Sequence, residues 1–155
     1  MKARSVLAQL GGAFLLALAF PAAAEDCVGT PGAVKLAVQV TNLRDAKGQV
    51  AVTVYPDDPR RFLAKKGKLA RVRVPTARPH TRACFWLPSP GVYAVAVYHD
   101  ADGDADFDRN GLGAPTEGFG FSNDAPTRFS LPAFEDTRVR VKPGDNLIRV
   151  RMRYP

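Results

Sequence analysis

The run Val92-Tyr-Ala-Val-Ala-Val-Tyr98 has no charge and no polar face. It reads as a strand buried on both sides at the centre of a sheet. A Pro88-Ser-Pro-Gly91 turn precedes it, and before that Ala83 to Leu87 forms another apolar strand. Further upstream, Val34 to Thr41 alternates, with Val34, Leu36, Val38 and Val40 on one face and Lys35, Ala37, Gln39 and Thr41 on the other. A period of two marks a half-buried strand. Asn42 to Gly48 is turn chemistry and Val50 to Tyr55 a second β-branched run, so the two are expected to pair as a hairpin. Pro56 to Gly67 is a polar loop plugged by Phe62 and Leu63. Leu69 to Val74 sets Ala70, Val72 and Val74 opposite Arg71 and Arg73. Trp86, in step with Cys84, is expected in the core. Arg138 to Lys142 and Leu147 to Met152 are expected to form a last pair around Lys142-Pro-Gly-Asp-Asn146. No segment after residue 25 holds a helical period over two turns. The fold class is therefore all-β: a single seven-stranded antiparallel β-sandwich of immunoglobulin-like or transthyretin-like kind, with strand order open. There is no internal repeat.

The first 24 residues read as a cleavable signal peptide. Lys2 and Arg4 supply a positive start, Val6 to Phe20 an uncharged apolar core, and Ala22-Ala23-Ala24 a small-residue cleavage pattern before Glu25. The core is shorter than the roughly 20 residues a spanning helix requires. Cys27 is the third residue after the cleavage point, where a lipoprotein needs the first. The expectation is a periplasmic or extracellular protein that does not span the membrane after cleavage. Residues 25–155 are about 130 in number, enough for one domain with its own core. The formal charge of +7 loses only Lys2 and Arg4, so the mature chain stays basic. In an oxidising compartment, two remaining cysteines suggest a Cys27–Cys84 disulfide that staples the N-terminal segment to the sheet. The alternative is two buried free thiols. Neither cysteine has a nearby His or a C-x-x-C partner, which argues against redox chemistry.

Within the long acidic and glycine-rich loop 99–126, His99-Asp-Ala-Asp-Gly-Asp-Ala-Asp-Phe-Asp108 places carboxylates at 100, 102, 104, 106 and 108 of an otherwise basic chain. On a strand all five would share one face. Carboxylates about 6 Å apart repel by roughly 0.7 kcal/mol in water and about 3 kcal/mol at an effective dielectric of 20. A cation among them removes that penalty. Ca²⁺ takes six to eight oxygens, and a loop with Asp at its first, third and fifth positions can turn them inward around the ion. Asp100, Asp102 and Asp104 fit. Asp106 would give a backbone carbonyl and Asp108 a direct or water-mediated ligand. The sixth position is Ala105, where a sharp turn favours Gly, and holding Ala at positive φ costs about 1 kcal/mol. The twelfth is Gly111 rather than a bidentate Glu, so Glu117 would close the site from further away. The competing reading is a solvated acidic loop.

Pro90-Gly-Val-Tyr-Ala-Val-Ala-Val-Tyr-His-Asp100, the acidic repeat after it, and Gly113-Ala-Pro-Thr-Glu-Gly-Phe-Gly-Phe-Ser-Asn123 together resemble the signature of domain-of-unknown-function family 2141, small exported bacterial proteins. The matching positions are Gly91, Tyr93, Ala94, His99, Asp100, Asp108, Gly113, Pro115, Glu117, Gly118, Gly120, Ser122 and Asn123. Asp102 and Asp104 stand where the family usually has Asn, which keeps oxygen ligands, and Ala105 where it usually has Gly. The resemblance implies no established activity. The loop is also similar to calcium loops of repeated β-sandwich domains in bacterial surface proteins.

Arg138, Arg140 and Lys142 alternate with Val139 and Val141, and Arg149, Arg151 and Arg153 with Val150 and Met152. If these two strands pair, six cations share one face. Like charges opposite one another destabilise a sheet, so an anionic envelope component would suit it; the alternative is a solvated face of splayed side chains. Nucleic acid fits poorly, because no aromatic interleaves the arginines. Phe119 and Phe121 read as pins for their loop or as the lip of a small-ligand site spanning Gly113 to Asn123. His99 reads as a local hydrogen-bonding residue rather than a ligand. There is no G-x-S-x-G, HExxH or Cys/His pair with family spacing; the alternative of a hydrolase rests on paired carboxylates, Asp100 with Asp108 or Glu117, as in glycosidases. The expected function is a non-catalytic exported envelope module with a Ca²⁺-type loop. The alternative is a binding module for an anionic partner or small ligand.

Overall fold

Two sheets enclose the apolar layer that the period-two segments demand. The computed structural model describes residues 26–127 and 131–155, so the signal-peptide expectation lies outside the described residues. The strands are β1 (Val34–Thr41), β2 (Gln49–Pro56), β3 (Ala70–Pro75), β4 (His80–Trp86), β5 (Gly91–Asp100), β6 (Gly118–Phe121), β7 (Arg138–Val141) and β8 (Gly144–Arg151). A short helix, α1 (Phe134–Thr137), and a 3-10 turn at Ser122–Asp124 complete the regular structure. One sheet runs β4-β1-β8; the other runs β3-β2-β5-β6, with β7 also on β5. Leu36, Val38, Phe85 and Val150 from the first meet Val52, Val54, Val95 and Val141 from the second in one core.

Eight strands form where seven are expected, and β1 and β8 pair in parallel. The additional strand is β6. Its Gly-Phe-Gly-Phe sequence hides it, because glycine lowers strand propensity. The glycines are required by close approach: a Cβ on Gly120 would stand 2.7 Å from the Arg151 carbonyl oxygen. The run from Val92 to Tyr98 is central, between β2 on one side and β6 and β7 on the other.

The expected β1–β2 hairpin does not form. β1 pairs with β4 and β8, β2 with β3 and β5. Residues 42–48 form an arch between the sheets, with Leu43 buried beneath it and the Asn42 amide donating to the Met152 carbonyl at 2.8 Å. The expected β7–β8 pair does not form either. The chain crosses between sheets at Lys142, whose N–H donates to Asn146 Oδ1 at 2.9 Å while Asn146 Nδ2 donates back to the Lys142 carbonyl at 2.7 Å. That side chain replaces the ladder partner a hairpin would supply.

Cys27 and Cys84 are disulfide-bonded, with Cα atoms 4.4 Å apart. The bond lies on the outward face of β4, where Val28 exchanges backbone hydrogen bonds with Cys84 and Trp86. Strand parity explains why Trp86 is only half-buried while Phe85 is fully so: Ala83, Phe85 and Leu87 point inward, Cys84 and Trp86 outward. Phe62 and Leu63 do plug their loop, packing on Tyr55, Ala94 and Phe134 over the outer face of the second sheet.

Candidate metal centre

Asp100 ends β5 and Glu117 immediately precedes β6. The register His99↔Gly118 therefore brings these two carboxylates to the base of one loop. Both are buried, Asp100 at 0% and Glu117 at 7% exposure. A buried charge must be hydrogen-bonded, paired or bound to a metal. Asp100 accepts from the Gly103 N–H at 2.7 Å through Oδ1 and from the Ala105 N–H at 3.0 Å through Oδ2. Glu117 accepts from the Ala101 N–H at 3.1 Å and the Asp108 N–H at 3.3 Å. Each carboxylate thus staples the loop twice and keeps further lone pairs for a ligand.

The D-x-D-x-D spacing turns the rest of the loop. Asp102 Oδ1 accepts from the Asp104 N–H at 3.3 Å, and Asp104 Oδ1 from the Asp106 N–H at 2.8 Å. These are Asx turns, a carboxylate bonding its own backbone two residues on. Gly103 has φ +81°, and Ala105 does stand at positive φ, +70°. The Ala105 carbonyl is held by the Tyr98 hydroxyl at 3.1 Å and by the Arg73 guanidinium.

Two carboxylate groups result: Asp100, Asp102 and Glu117; and Asp102, Asp104 and Asp108. Within each, one oxygen per residue lies within 4.8 Å of the others. Two oxygens on one Ca²⁺ at 2.3–2.6 Å stand at most about 5 Å apart, so either group can share an ion, with water and carbonyls completing the shell. The Asp106 side chain belongs to neither group and is exposed. Among the described residues no lysine or arginine forms an ion pair with these six acids; Arg44, Arg138 and Arg60 pair with Asp45, Asp57 and Asp58 instead. Burial is the main cause that raises the Asp108 pKa, and the charges of Asp104, Asp102, Asp106 and Asp100 add to it. Burial likewise raises Glu117, against the lowering effect of the two N–H groups it accepts.

His99 is no ligand in this arrangement. It is fully buried, with Nε2 at 2.8 Å from the Lys47 carbonyl and Nδ1 at 2.9 Å from the Tyr154 hydroxyl. A carbonyl only accepts, so Nε2 donates to Lys47, and Nδ1 shares its hydrogen bond with the Tyr154 hydroxyl. His99 ties the C-terminal residues to the arch.

The six cations do not share a face. Arg138 and Arg140 lie opposite Ala94 and Val92 on the outer side of the second sheet; Arg149 and Arg151 lie opposite Gln39 and Thr41 on the outer side of the first. Lys142 sits at the crossover. Arg138 pairs with Asp57, both guanidinium donors on its carboxylate at 2.9 and 2.8 Å. Arg153 donates to the Ala125 and Asp124 carbonyls. Sequence reasoning missed Arg71, Arg73 and Tyr98 as neighbours of the loop. Their signal was parity: Arg71 and Arg73 alternate with inward Val72 and Val74, and Tyr98 is in step with Asp100.

No curated protein and no solved structure matches the chain. One family model does, over residues 38–149, from the middle of β1 to near the end of β8 and through the whole acidic loop. The chain thus belongs to the family described as uncharacterized protein conserved in bacteria (DUF2141).

Proposed function

We propose that this protein is a non-catalytic, exported envelope module whose Asp100–Glu117 loop is closed by a divalent cation of the Ca²⁺ type. One observation carries the proposal: two buried carboxylates, Asp100 and Glu117, converge with Asp102 and form no ion pair with a lysine or arginine among the described residues. Oxygen-only donors suit a hard cation. Asp104 and Asp108 supply a second group that shares Asp102. The disulfide favours an oxidising compartment, in keeping with export to the periplasm or beyond. The two sheets are best classed with immunoglobulin-like or transthyretin-like sandwiches, as an eight-stranded variant with one parallel pair.

The test is thermal unfolding with the disulfide intact, in EDTA and in Ca²⁺, with Mg²⁺ as control. An ion at about 100 times its Kd stabilises by roughly 2.7 kcal/mol. A midpoint that does not move in Ca²⁺ would leave the loop as a set of Asx turns and refute the proposal.

A second reading, a module for an anionic envelope component, is favoured by the outer face of the first sheet. There Arg82 and Arg149 flank Gln39, and Arg151 adjoins Thr41 one row on. Charge reversal at Arg149 and Arg151 is expected to abolish binding to vesicles containing anionic lipid. Equal binding by the reversed protein would exclude this face.

A further inference from the structure

The register of the second sheet lays out its outer face in rows. One row is Arg71, Thr53, Ala96 and Phe121; the next is Arg73, Ala51, Tyr98 and Phe119. In the first row the middle positions, Thr53 and Ala96, are small and the ends long or aromatic; in the second, Ala51 is small and Tyr98 adds a ring beside Phe119. A cleft of about 210 Å³ results, with Thr53 and Ala96 from the sheet, Leu63 from the plug, and Phe107 and Arg109 from the acidic loop along its sides. The aromatic wall is continuous. Ring centroids are 5.4 Å apart for Tyr98 and Phe107, 6.0 Å for Phe107 and Phe119, and 6.1 Å for Phe119 and Phe121.

Two guanidiniums border the same space. Arg71 is anchored through Nε to Thr53 Oγ1 at 2.7 Å and stands 5.9 Å from the Tyr98 ring. Arg109 is anchored through Nη1 to the Gly113 carbonyl at 3.0 Å and stands 5.0 Å from the Phe107 ring. Among the described residues neither forms an ion pair with a carboxylate and no acidic side chain lines the cleft. A guanidinium carries five N–H donors, so each anchor leaves others for a ligand.

We infer that this cleft binds a small, planar, single-ring aromatic carboxylate. The volume limits the occupant to about one ring. The aromatic wall offers offset and edge-on packing to a flat π system. The fixed guanidiniums match a carboxylate in charge and in fork geometry. An aliphatic acid forgoes the ring contacts, and a neutral aromatic leaves Arg71 without its counter-charge. Most of the cleft is built on the sheet, while Phe107 and Arg109 reach it from the acidic loop, so titration in Ca²⁺ as well as in EDTA separates failure of the cleft from failure of the loop.

Benzoate is the probe, titrated in EDTA and in Ca²⁺ into the full-length ¹⁵N-labelled protein and followed by amide chemical shifts, with benzamide and acetate alongside. Nine non-hydrogen atoms at about 0.3 kcal/mol each give a Kd of roughly 10 mM. Saturable shifts are expected on β2, β5 and β6, about tenfold weaker for benzamide and weaker still for acetate. Arg71→Gln is expected to weaken benzoate about tenfold, and Ala96→Leu, which fills the cleft, to abolish it. Arg71→Gln alone decides if Ala96→Leu does not fold. Non-saturating shifts, equal response to benzamide, or unchanged affinity in Arg71→Gln would each overturn the inference.

Discussion

Asp100→Asn separates the two roles of the acidic loop. In the wild type both Asp100 oxygens accept backbone N–H bonds, from Gly103 and Ala105. Hydrogen bonds to a charged acceptor contribute about 1.5–3 kcal/mol, and neutral ones about 0.5–1.5. Asparagine keeps one acceptor and turns an NH₂ toward the other N–H. The loss in EDTA is therefore about 2–3 kcal/mol, reduced by about 1 because one of several repelling carboxylates is gone. In Ca²⁺ the substitution also removes a ligand, and the linkage term of roughly 2.7 kcal/mol at 100 times Kd is forfeited. The gap between wild type and variant should thus be about 1–2 kcal/mol in EDTA and about 4 in Ca²⁺. Urea denaturation followed by far-UV circular dichroism reads both, since the midpoint shifts while the slope holds. Asp104→Asn is the companion. Its exposed side chain caps only the Asp106 N–H, so it should cost a few tenths of a kcal/mol in EDTA and more in Ca²⁺. If the Asp100→Asn gap is the same with and without Ca²⁺, the carboxylate is a backbone staple and no ion binds there.

Further outcomes follow from the same geometry. Asp108 and Glu117 have raised pKa values, so the unfolded chain gives up these protons first as pH rises. Their contribution is neutral below the unfolded carboxylate range and turns destabilising as pH climbs through it to the folded values. Calorimetry in EDTA and Ca²⁺ should show the Ca²⁺ increment growing over that window; a constant increment would exclude these two groups from the site. Ala105→Gly relieves a positive φ of 70° and should raise Ca²⁺ affinity several-fold, read by isothermal titration, with little change in EDTA because glycine's unfolded entropy offsets the gain. Gly120→Ala drives a methyl against backbone at 2.7 Å and should cost about 1–3 kcal/mol in urea melts; a neutral result would mean β6 moves freely over β8. Replacing Cys27 and Cys84 together by Ser reopens a loop of sequence separation 57 and should cost about 4 kcal/mol.

The existence of every strand but β6 was legible, and strand partnership was not. A period of two is written into residues 34–41 and 69–74 because each strand buries one face, and a burial pattern needs no knowledge of the neighbour. Partnership depends on what the connections do. Residues 42–48 look like a polar turn, yet Leu43 is an apolar residue that a solvent-facing hairpin has no use for, and it marks the arch. Asn146 likewise looks like turn punctuation, but its amide satisfies the backbone of Lys142 and lets the chain change sheets. Once that crossover forms, Arg140 and Arg149 can no longer share a face. Strand β6 stayed hidden because its glycines answer to Tyr154 and Arg151, which lie more than thirty residues away.

The acidic repeat could be read two ways because one spacing serves both. An Asp two residues before an N–H makes an Asx turn with no ion present, and the same side chains converge when an ion is. Glu117 tips the balance, and its place depends on tertiary structure. Pairing of β6 on β5 sets it beside Asp100, where two charges within 4.8 Å at an effective dielectric of 20 repel by roughly 3 kcal/mol. Backbone N–H groups from Asp108 and Ala101 offset part of that cost, while burial first, and the charges of Asp108 and Asp100 after it, push the Glu117 pKa upward. What remains can be relieved by a proton on Glu117 or by a cation between the two carboxylates. On the proposed function these are competing ligands for one site, and the pH dependence of stability in EDTA and the Ca²⁺ dependence at neutral pH measure the same uncompensated charge at the base of the loop.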